Sequence, residues 1–330
     1  MSQYTYQLTL HPPNGGQGRD LTQLVQAIHW SGSIQQIARE LQVAIVVPRD
    51  GSITPPQLVE GATLTFRHRG VTRFVGRLLK STVTTKNSVA DVSALDGGRY
   101  LAGNRGWYKF RDTSPEGAVA ALCQDFGIPV GNLAGTGALV SRKFPGVELD
   151  RIISTLYGLA GEQTGKRYIA RFSGDGKLEV IEKPSSASLE VVQTMGVTNT
   201  WDITKLCNSV AIYTDDGQLV RRVGDDGSQA LNGRLEHIVI QRRGEDASQE
   251  AQAWLDDHGL QQSLTVEVLD PPLELVSGQA VVLRDTGSGA RGLFWVDSDT
   301  HTWKNKQHFG KFRLNFRSIM ASTSAGSELR

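Results

Sequence analysis

"LVEGATLTFRHRG", residues 58–70, recurs as "LVSGQAVVLRDTG" at residues 275–287. Leu58, Val59, Gly61, Arg67 and Gly70 return as Leu275, Val276, Gly278, Arg284 and Gly287. Each copy reads as a turn at glycine, a strand, and a second turn. The likeness continues beyond it. With one extra residue in the second turn, Arg73 matches Arg291, and Thr82, Thr84, Lys86 and Asn87 match Thr300, Thr302, Lys304 and Asn305. Two readings are open. One is chance, because glycine ends strands and threonine favours them in any hairpin. The other is a pair of similar small β-barrels separated by an inserted domain, since the spacing is too long for a solenoid or propeller repeat. On the second reading Gly61, Arg67 and Gly70 hold turns equivalent to those of Gly278, Arg284 and Gly287. A trimer of such a chain would present six barrel units around one axis, a closed ring with pseudo-sixfold symmetry.

The length, 330 residues, leads us to expect two or three domains. An apolar fraction of 39% and a charged fraction of 21% are ordinary for a globular protein. A net charge of +1 argues against a dominant nucleic-acid or membrane-surface role. No apolar run reaches 18 residues, and the first 30 residues lack the pattern of a signal peptide. Cys123 and Cys207 make no disulfide framework. The expected fold class is α+β, mostly β.

Residues 1–107 read as a first β-rich, barrel-type domain with a short helix. "YTYQLTL" alternates like a strand. In "SIQQIARELQ", Ser33 stands at an N-cap position and Ile34, Ile37, Ala38 and Leu41 share a helical face. "VAIVVP" is a buried strand ended by Pro48. Residues 108–200 read as an inserted α+β domain. Ser114 caps a helix with Pro115 in its first turn and an apolar stripe of Ala118, Val119, Leu122 and Phe126. A second helix carries Leu149, Ile152, Ile153, Leu156 and Tyr157, and "RYIARFSGDGKLEVIE" is a hairpin. Residues 201–330 read as a second barrel-type domain. It holds a hairpin in "NSVAIYTDDGQLVRRV" and a helix in "EDASQEAQAWLDDHG", where Asp246 and Gln249 are spaced like a capping box. The end, "ASTSAGSELR", is small and polar and is expected to fray.

A search for chemistry returns little. "AGEQTGKR" imitates a phosphate-binding loop through Gly165 and Lys166, but Arg167 stands where Ser or Thr is needed. A helix precedes it and a strand follows, the reverse of the required order. The seven His residues form no paired metal motif. Cys123 falls on an apolar helix face and reads as a small core residue. "DSDT" (297–300) and "DDGS" (225–228) imitate pieces of Ca²⁺ loops without the spaced ligands, and turns are expected there. No Gly-x-Ser-x-Gly elbow occurs, and no carboxylate pair stands out among 34 acidic residues. We expect no enzyme, no cofactor and no metal. Arg67, Arg69, Arg73 and Arg77, and Lys304, Lys306, Lys311, Arg313 and Arg317, form basic clusters. They read as a solvated strand face or as the rim of a lumen that tolerates passing DNA.

Three stretches carry a family resemblance: "FRDTSPEGAVAALCQDFGIPVGNL" (110–133), "RIISTLYGLAGEQTGKRYIARFSGDGKLEV" (151–180) and "ITKLCNSVAIYT" (203–214). They resemble the hub proteins of PBSX-type phage tails. These belong to the baseplate-hub superfamily with the late control protein D group and the hub of T-even phages. The resemblance runs over roughly residues 105–317. It implies a structural homotrimer at the distal end of a contractile tail. Two tube-like barrels per chain would form a pseudo-hexameric ring that joins the sixfold tail tube to the threefold central spike. The implied partners are further copies of the chain, the tail tube or its initiator, the spike, the tape measure protein and the baseplate wedge, with DNA only in passage and no membrane. The implied location is the virion, after assembly in the host cytoplasm. Two alternatives stay open: a peptidoglycan hydrolase that accompanies injection, and the same hub in a tailocin-type device.

Overall fold

The computed structural model describes residues 5–47, 54–84, 88–241, 246–320 and 324–329. The chain divides into two compact units, one of residues 1–197 with 266–330 and one of residues 198–265. The fold is mostly β.

The first unit opens with β1 (Tyr6–His11), β2 (Arg19–Asp20), β3 (Val25–Ser33), β4 (Gln36–Val46), β5 (Thr63–His68), β6 (Val71–Thr84) and β7 (Val89–Leu95). They run in the order β3-β4-β7-β6-β5-β1-β2. Alternate side chains point inward, as a pleat requires. Leu8, Leu41, Val43, Ile45, Leu64, Phe66, Phe74, Leu78, Val92 and Ala94 are buried in one core.

The helix expected from Ser33 is a hairpin instead. Ser33 pairs with Gln36, and β4 is hydrogen-bonded to β3 on one side and β7 on the other. The apolar residues at 34, 37, 38 and 41 fit a helix, but within β4 the buried set is Arg39, Leu41, Val43 and Ile45, with period two. Two flanking strands and the β-branched run after Gln42 override the helical spacing. The Ser33 hydroxyl accepts the Gln35 N–H at 3.2 Å, so it caps the turn.

Next come α1 (Gly98–Gly103), β8 (Arg105–Thr113), α2 (Pro115–Asp125), β9 (Val130–Leu133), β10 (Val140–Glu148), α3 (Leu149–Thr164), β11 (Tyr168–Phe172), β12 (Leu178–Glu182) and β13 (Leu189–Val191). Ser114 accepts the Gly117 N–H at 3.2 Å and Pro115 opens α2. Ala118, Val119, Leu122 and Cys123 pack with Ile152, Ile153, Leu156 and Tyr157 of α3. Phe126 does not join them. It is the C-cap residue of α2 and is exposed, and the buried Ile128 fills the core instead, its N–H returning to Cys123 O at 2.9 Å. Gly127, at φ +63°, makes that reversal.

The second unit spans most of β14 (Gly196–Asp202), then β15 (Ser209–Thr214), β16 (Leu219–Gly224), α4 (Asp226–Asn232), β17 (Glu236–Gln241), α5 (Ser248–Asp257) and the start of β18 (Gln261–Leu269). β15 pairs antiparallel with β16 and parallel with β17. Val210, Ile212 and Val239 pack against Ala251 of α5 in a small core. Trp254 is stacked between His237 and His258, at 3.7 and 4.0 Å. The expected capping box is absent. Asp246 turns its carboxylate to the Ser248 N–H at 2.9 Å, and the N-cap is Ala247 without a side-chain bond.

The first unit resumes with β19 (Ala280–Arg284), β20 (Arg291–Lys304), β21 (Gln307–Asn315) and β22 (Ser327–Glu328). β19, β20 and β21 form consecutive antiparallel pairs, and β20 also pairs antiparallel with β3. Beyond β21 the strand order runs through β18 to β14, the terminal strand. The segment after residue 323 is anchored rather than frayed. β22 pairs with β10. Arg142, buried in β10, donates from Nε to Ala325 O at 2.6 Å. The Ala325 N–H donates to Thr155 Oγ1 at 3.1 Å. A buried guanidinium needs acceptors, and this polar segment supplies them.

Candidate assembly surface

The two echoed stretches occupy closely comparable geometry. Gly61 has φ +80° and Gly278 φ +90°, and each immediately precedes the residue before a strand. Gly61 N–H donates to Leu78 O at 2.8 Å, and Leu78 N–H donates to Ala62 O. Gly278 N–H donates to Val296 O at 2.8 Å, and Val296 N–H donates to Gln279 O. Downstream, Thr63, Leu64, Thr65 and Phe66 pair with Arg77, Gly76, Val75 and Phe74. In the second ladder Ala280, Val281, Val282 and Leu283 pair with Trp295, Phe294, Leu293 and Gly292. The next pair of strands has a register break between Leu78 and Lys80, and in the later ladder between Val296 and Ser298.

The other echoed residues match less closely. Gly70 has φ +80°, whereas in the later turn Gly289 takes the left-handed conformation and Gly287 does not. The extra residue in that turn moves the reversal onward. Arg67 Nε donates to Thr72 Oγ1 at 3.2 Å, while Arg284 pairs with Glu190 at 2.7 Å. Thr82 and Thr84 lie in β6, and Thr300 and Thr302 in β20. Lys86 and Asn87 lie outside the described residues.

The ladders meet where β20 takes β3 along its edge, from Ser298 opposite Ser33 to Lys304 opposite Ala27. A buried ion pair crosses this joint. Arg39 Nη1 donates to Asp299 Oδ1 at 3.0 Å, its Nη2 donates to Oδ2, and the guanidinium lies 4.1 Å over Trp30. Asp299 Oδ1 also accepts the Ser277 N–H at 2.7 Å. Nearby, His301 Nδ1 lies 3.0 Å from His308 Nε2, His301 Nε2 lies 3.0 Å from Leu275 O, and His308 Nδ1 lies 3.2 Å from Asp270. Trp303 reaches across to Phe66 at 4.8 Å. Burial, then the neighbouring His308, holds both His68 and His301 down to about 4. For His301 the nearby Asp299 opposes that shift. These imidazoles are neutral at pH 7.

Sequence reading missed this joint. Arg39 and Asp299 lie 260 positions apart. The only local trace is a charged residue at the inward phase of each strand. Two arginines of the basic cluster at the first turn pair with the connection between β18 and β19: Arg73 with Glu274 at 3.0 Å and Arg69 with Asp270 at 3.7 Å. Arg77 donates to Gly61 O at 2.8 Å. In the second cluster Lys311 pairs with Glu267 at 3.2 Å.

The decoy motifs resolve structurally. "AGEQTGKR" is the end of α3, closed by Gly165 at φ +73°. "DSDT" is not a turn. It lies inside β20, with Asp297 accepting from Asn315 and Asp299 from Arg39. "DDGS" starts α4, where Asp225 caps the Ser228 N–H at 3.0 Å. Cys123 and Cys207 are buried and unlinked, and burial pushes the Cys123 thiol up to about 11. Among the described residues no group of three or more His, Cys, Asp or Glu is placed to hold a metal ion.

The family described as YqbQ-like matches residues 28–315. The XkdQ protein of the phage-like element PBSX of Bacillus subtilis is 24% identical over 299 residues, covering 86% of this chain and 90% of its own. Among solved structures, a 43 kDa tail protein of prophage MuSo2 from Shewanella oneidensis superposes with a TM-score of 0.71 at 12% identity. The match covers 94% of this chain and 97% of that one. A component of the Escherichia coli type VI secretion system, itself described as similar to two T4 bacteriophage tail proteins, gives 0.52 at 11% identity, covering 93% and 76%. At these identities the structures share a fold. The resemblance to baseplate-hub proteins read from residues 110–133, 151–180 and 203–214 is upheld.

Proposed function

Because the chain belongs to the YqbQ-like family, we propose that it is the structural hub of a contractile tail, a homotrimer that adapts the sixfold tube to the threefold spike. The observation that carries this reading is the paired ladders. Two sets of strands share the glycine-turn bonds, the register of the four pairs that follow and a break in the next strand pair, and one chain joins them side by side. Three such chains supply six barrel units.

On this reading the domains are a first barrel over residues 1–107, an α+β insertion over 108–200 and a second barrel over 201–330. The turns at Gly61 and Gly278 are equivalent, as are the strands that carry Arg67 and Arg284. The partners are other copies of the chain, the tube or its initiator, and the spike. The chain acts through interfaces rather than by catalysis, at the distal end of the virion tail. Obligate interfaces of this kind bury large, comparatively apolar areas.

Mass measurement in solution tests the proposal. A mass three times that of the chain is expected, and a stable monomer under assembly conditions would sink it. A zymogram on peptidoglycan tests the non-catalytic role, and clearing by a clean preparation would reverse it. The fold shared with a type VI component favours one second reading, the same hub in a non-phage injection device. Capsid and terminase genes beside this one would exclude it.

A further inference from the structure

Matched strands in the two ladders carry very different cover. The outer edge of β20 over residues 298–304 is filled by β3. The matching stretch of β6, around Thr82 and Thr84, pairs with β7. Among the described residues no strand lies along its other edge. Lys80, Thr82 and Val83 there are exposed, Val83 by 56%. An open edge of this sort is a template for strand addition.

The strand that would fill it is present elsewhere in the chain. In the first ladder the order outward from β6 is β7, β4, β3; in the second, outward from β20, it is β21, β18, β14. Val47 N–H donates to Ser88 O at 2.8 Å, and Asp270 N–H donates to His308 O at the same distance. β18 therefore stands to β21 as β4 stands to β7. The buried Leu264, Val266 and Val268 then match Leu41, Val43 and Ile45. β14 holds the place of β3, yet among the described residues it ends the strand order and is almost wholly exposed, with Trp201 at 61%.

We infer that β14 of one copy adds to the free edge of β6 in the next, repeating between chains the joint that β3 makes with β20 within one. This inference rests on the ring reading above and names its contact. One chain offers a strand at one end and an open edge at the other, so the contact is head-to-tail and closes into a ring when the rotation allows. In-chain and between-chain joints then alternate around six ladders.

The register follows from the template. Met195 N–H bonds Glu267 O at 2.7 Å, and Ala27 is paired with Ala44, the residue that Glu267 matches. Met195 thus stands for Ala27, and four residues on, Asn199 stands for Ser31. Ser31 faces Thr300, and Thr300 matches Thr82. Asn199 of one copy is thereby placed opposite Thr82 of the next, at a Cα separation of roughly 4.5–5.5 Å that a disulfide can span.

The test is oxidative cross-linking of the full chain. Thr82→Cys combined with Asn199→Cys should give covalent trimer on a non-reducing gel, at least tenfold above either single variant. The same Thr82 variant with Thr198→Cys or Thr200→Cys should give less. Ser31→Cys with Thr300→Cys is the in-chain control and should form a bond without changing mass. Trimer by mass with no cross-link at 198, 199 or 200 overturns the strand joint and leaves the ring reading standing. A monomer by mass overturns both. Hydrogen exchange on the unaltered protein reads the same edge. Slow amides over 80–84 and 197–201 in the oligomer are expected, and fast exchange over both in a trimer would refute the pairing.

Discussion

The early ladder, β5–β7, and the late ladder, β19–β21, share the register of the four pairs after their first glycine turn but differ in what surrounds them. Outside β5 lies β1, antiparallel, whereas outside β19 lies β13, parallel. A Cβ on Gly61 would meet nothing within 4 Å, but one on Gly278 would come within 2.8 Å of Ile169. Where β6 has the exposed Val83, β20 has the fully buried His301. The strands are therefore a common frame, and the neighbours decide which positions become polar core and which stay open. Backbone bonding tolerates that divergence because it uses no side chains.

The largest expected effect breaks the late ladder's polar core. Asp299→Ala strands Arg39 in a buried site and should cost about 3–5 kcal/mol in denaturant unfolding. Ser81→Ala, on the early ladder, should cost less than about 1 kcal/mol. Equal losses would mean the joint is not the distinguishing feature.

Acid comes next. An unfolded histidine takes its proton near 6.5, but His301 in the fold takes it only near 4. Protons therefore favour unfolding across that window. The stability is complete above pH 6.5 and falls as the pH drops toward 4, on the order of 3 kcal/mol for His301 alone. His68 acts in the same direction. Asp96, which burial pushes up to about 6, acts in the opposite one. The readout is thus the difference in pH slope between the unaltered chain and His301→Gln, and identical slopes would refute the assignment.

The glycines give a finer contrast. Gly61→Ala carries only left-handed strain, about 1–2 kcal/mol. Gly278→Ala adds overpacking against Ile169 and should cost roughly 2–4 kcal/mol. Thermal melts of the two variants side by side check the order. The smallest effect is Arg73→Ala, which removes the pair between a half-buried guanidinium and the exposed Glu274 and should shift stability by about 0–1 kcal/mol, less in high salt.

Most strands and the helices α2 and α3 were legible because each is written in local spacing. Ser114, Pro115 and the stripe from Leu149 to Tyr157 need no distant partner to be read. The helix expected at 33–42 failed because its apolar spacing fits two periods, and β3 and β7 chose between them. The candidate surface was half legible. The echo pointed to Gly61 and Gly278, but nothing near Arg39 announces Asp299, and nothing in a polar segment such as "STSAGSE" announces that a buried arginine needs its carbonyls.

That last contact bears on synthesis. Arg142 waits for Ala325, 183 positions later, before its guanidinium has that acceptor. At ordinary elongation rates the interval is about 10–40 s. During it the region around β8, β10 and α3 exists with an incomplete lining, so a nascent chain stalled near residue 320 would display an unsatisfied basic pocket to whatever acidic segment reaches it first.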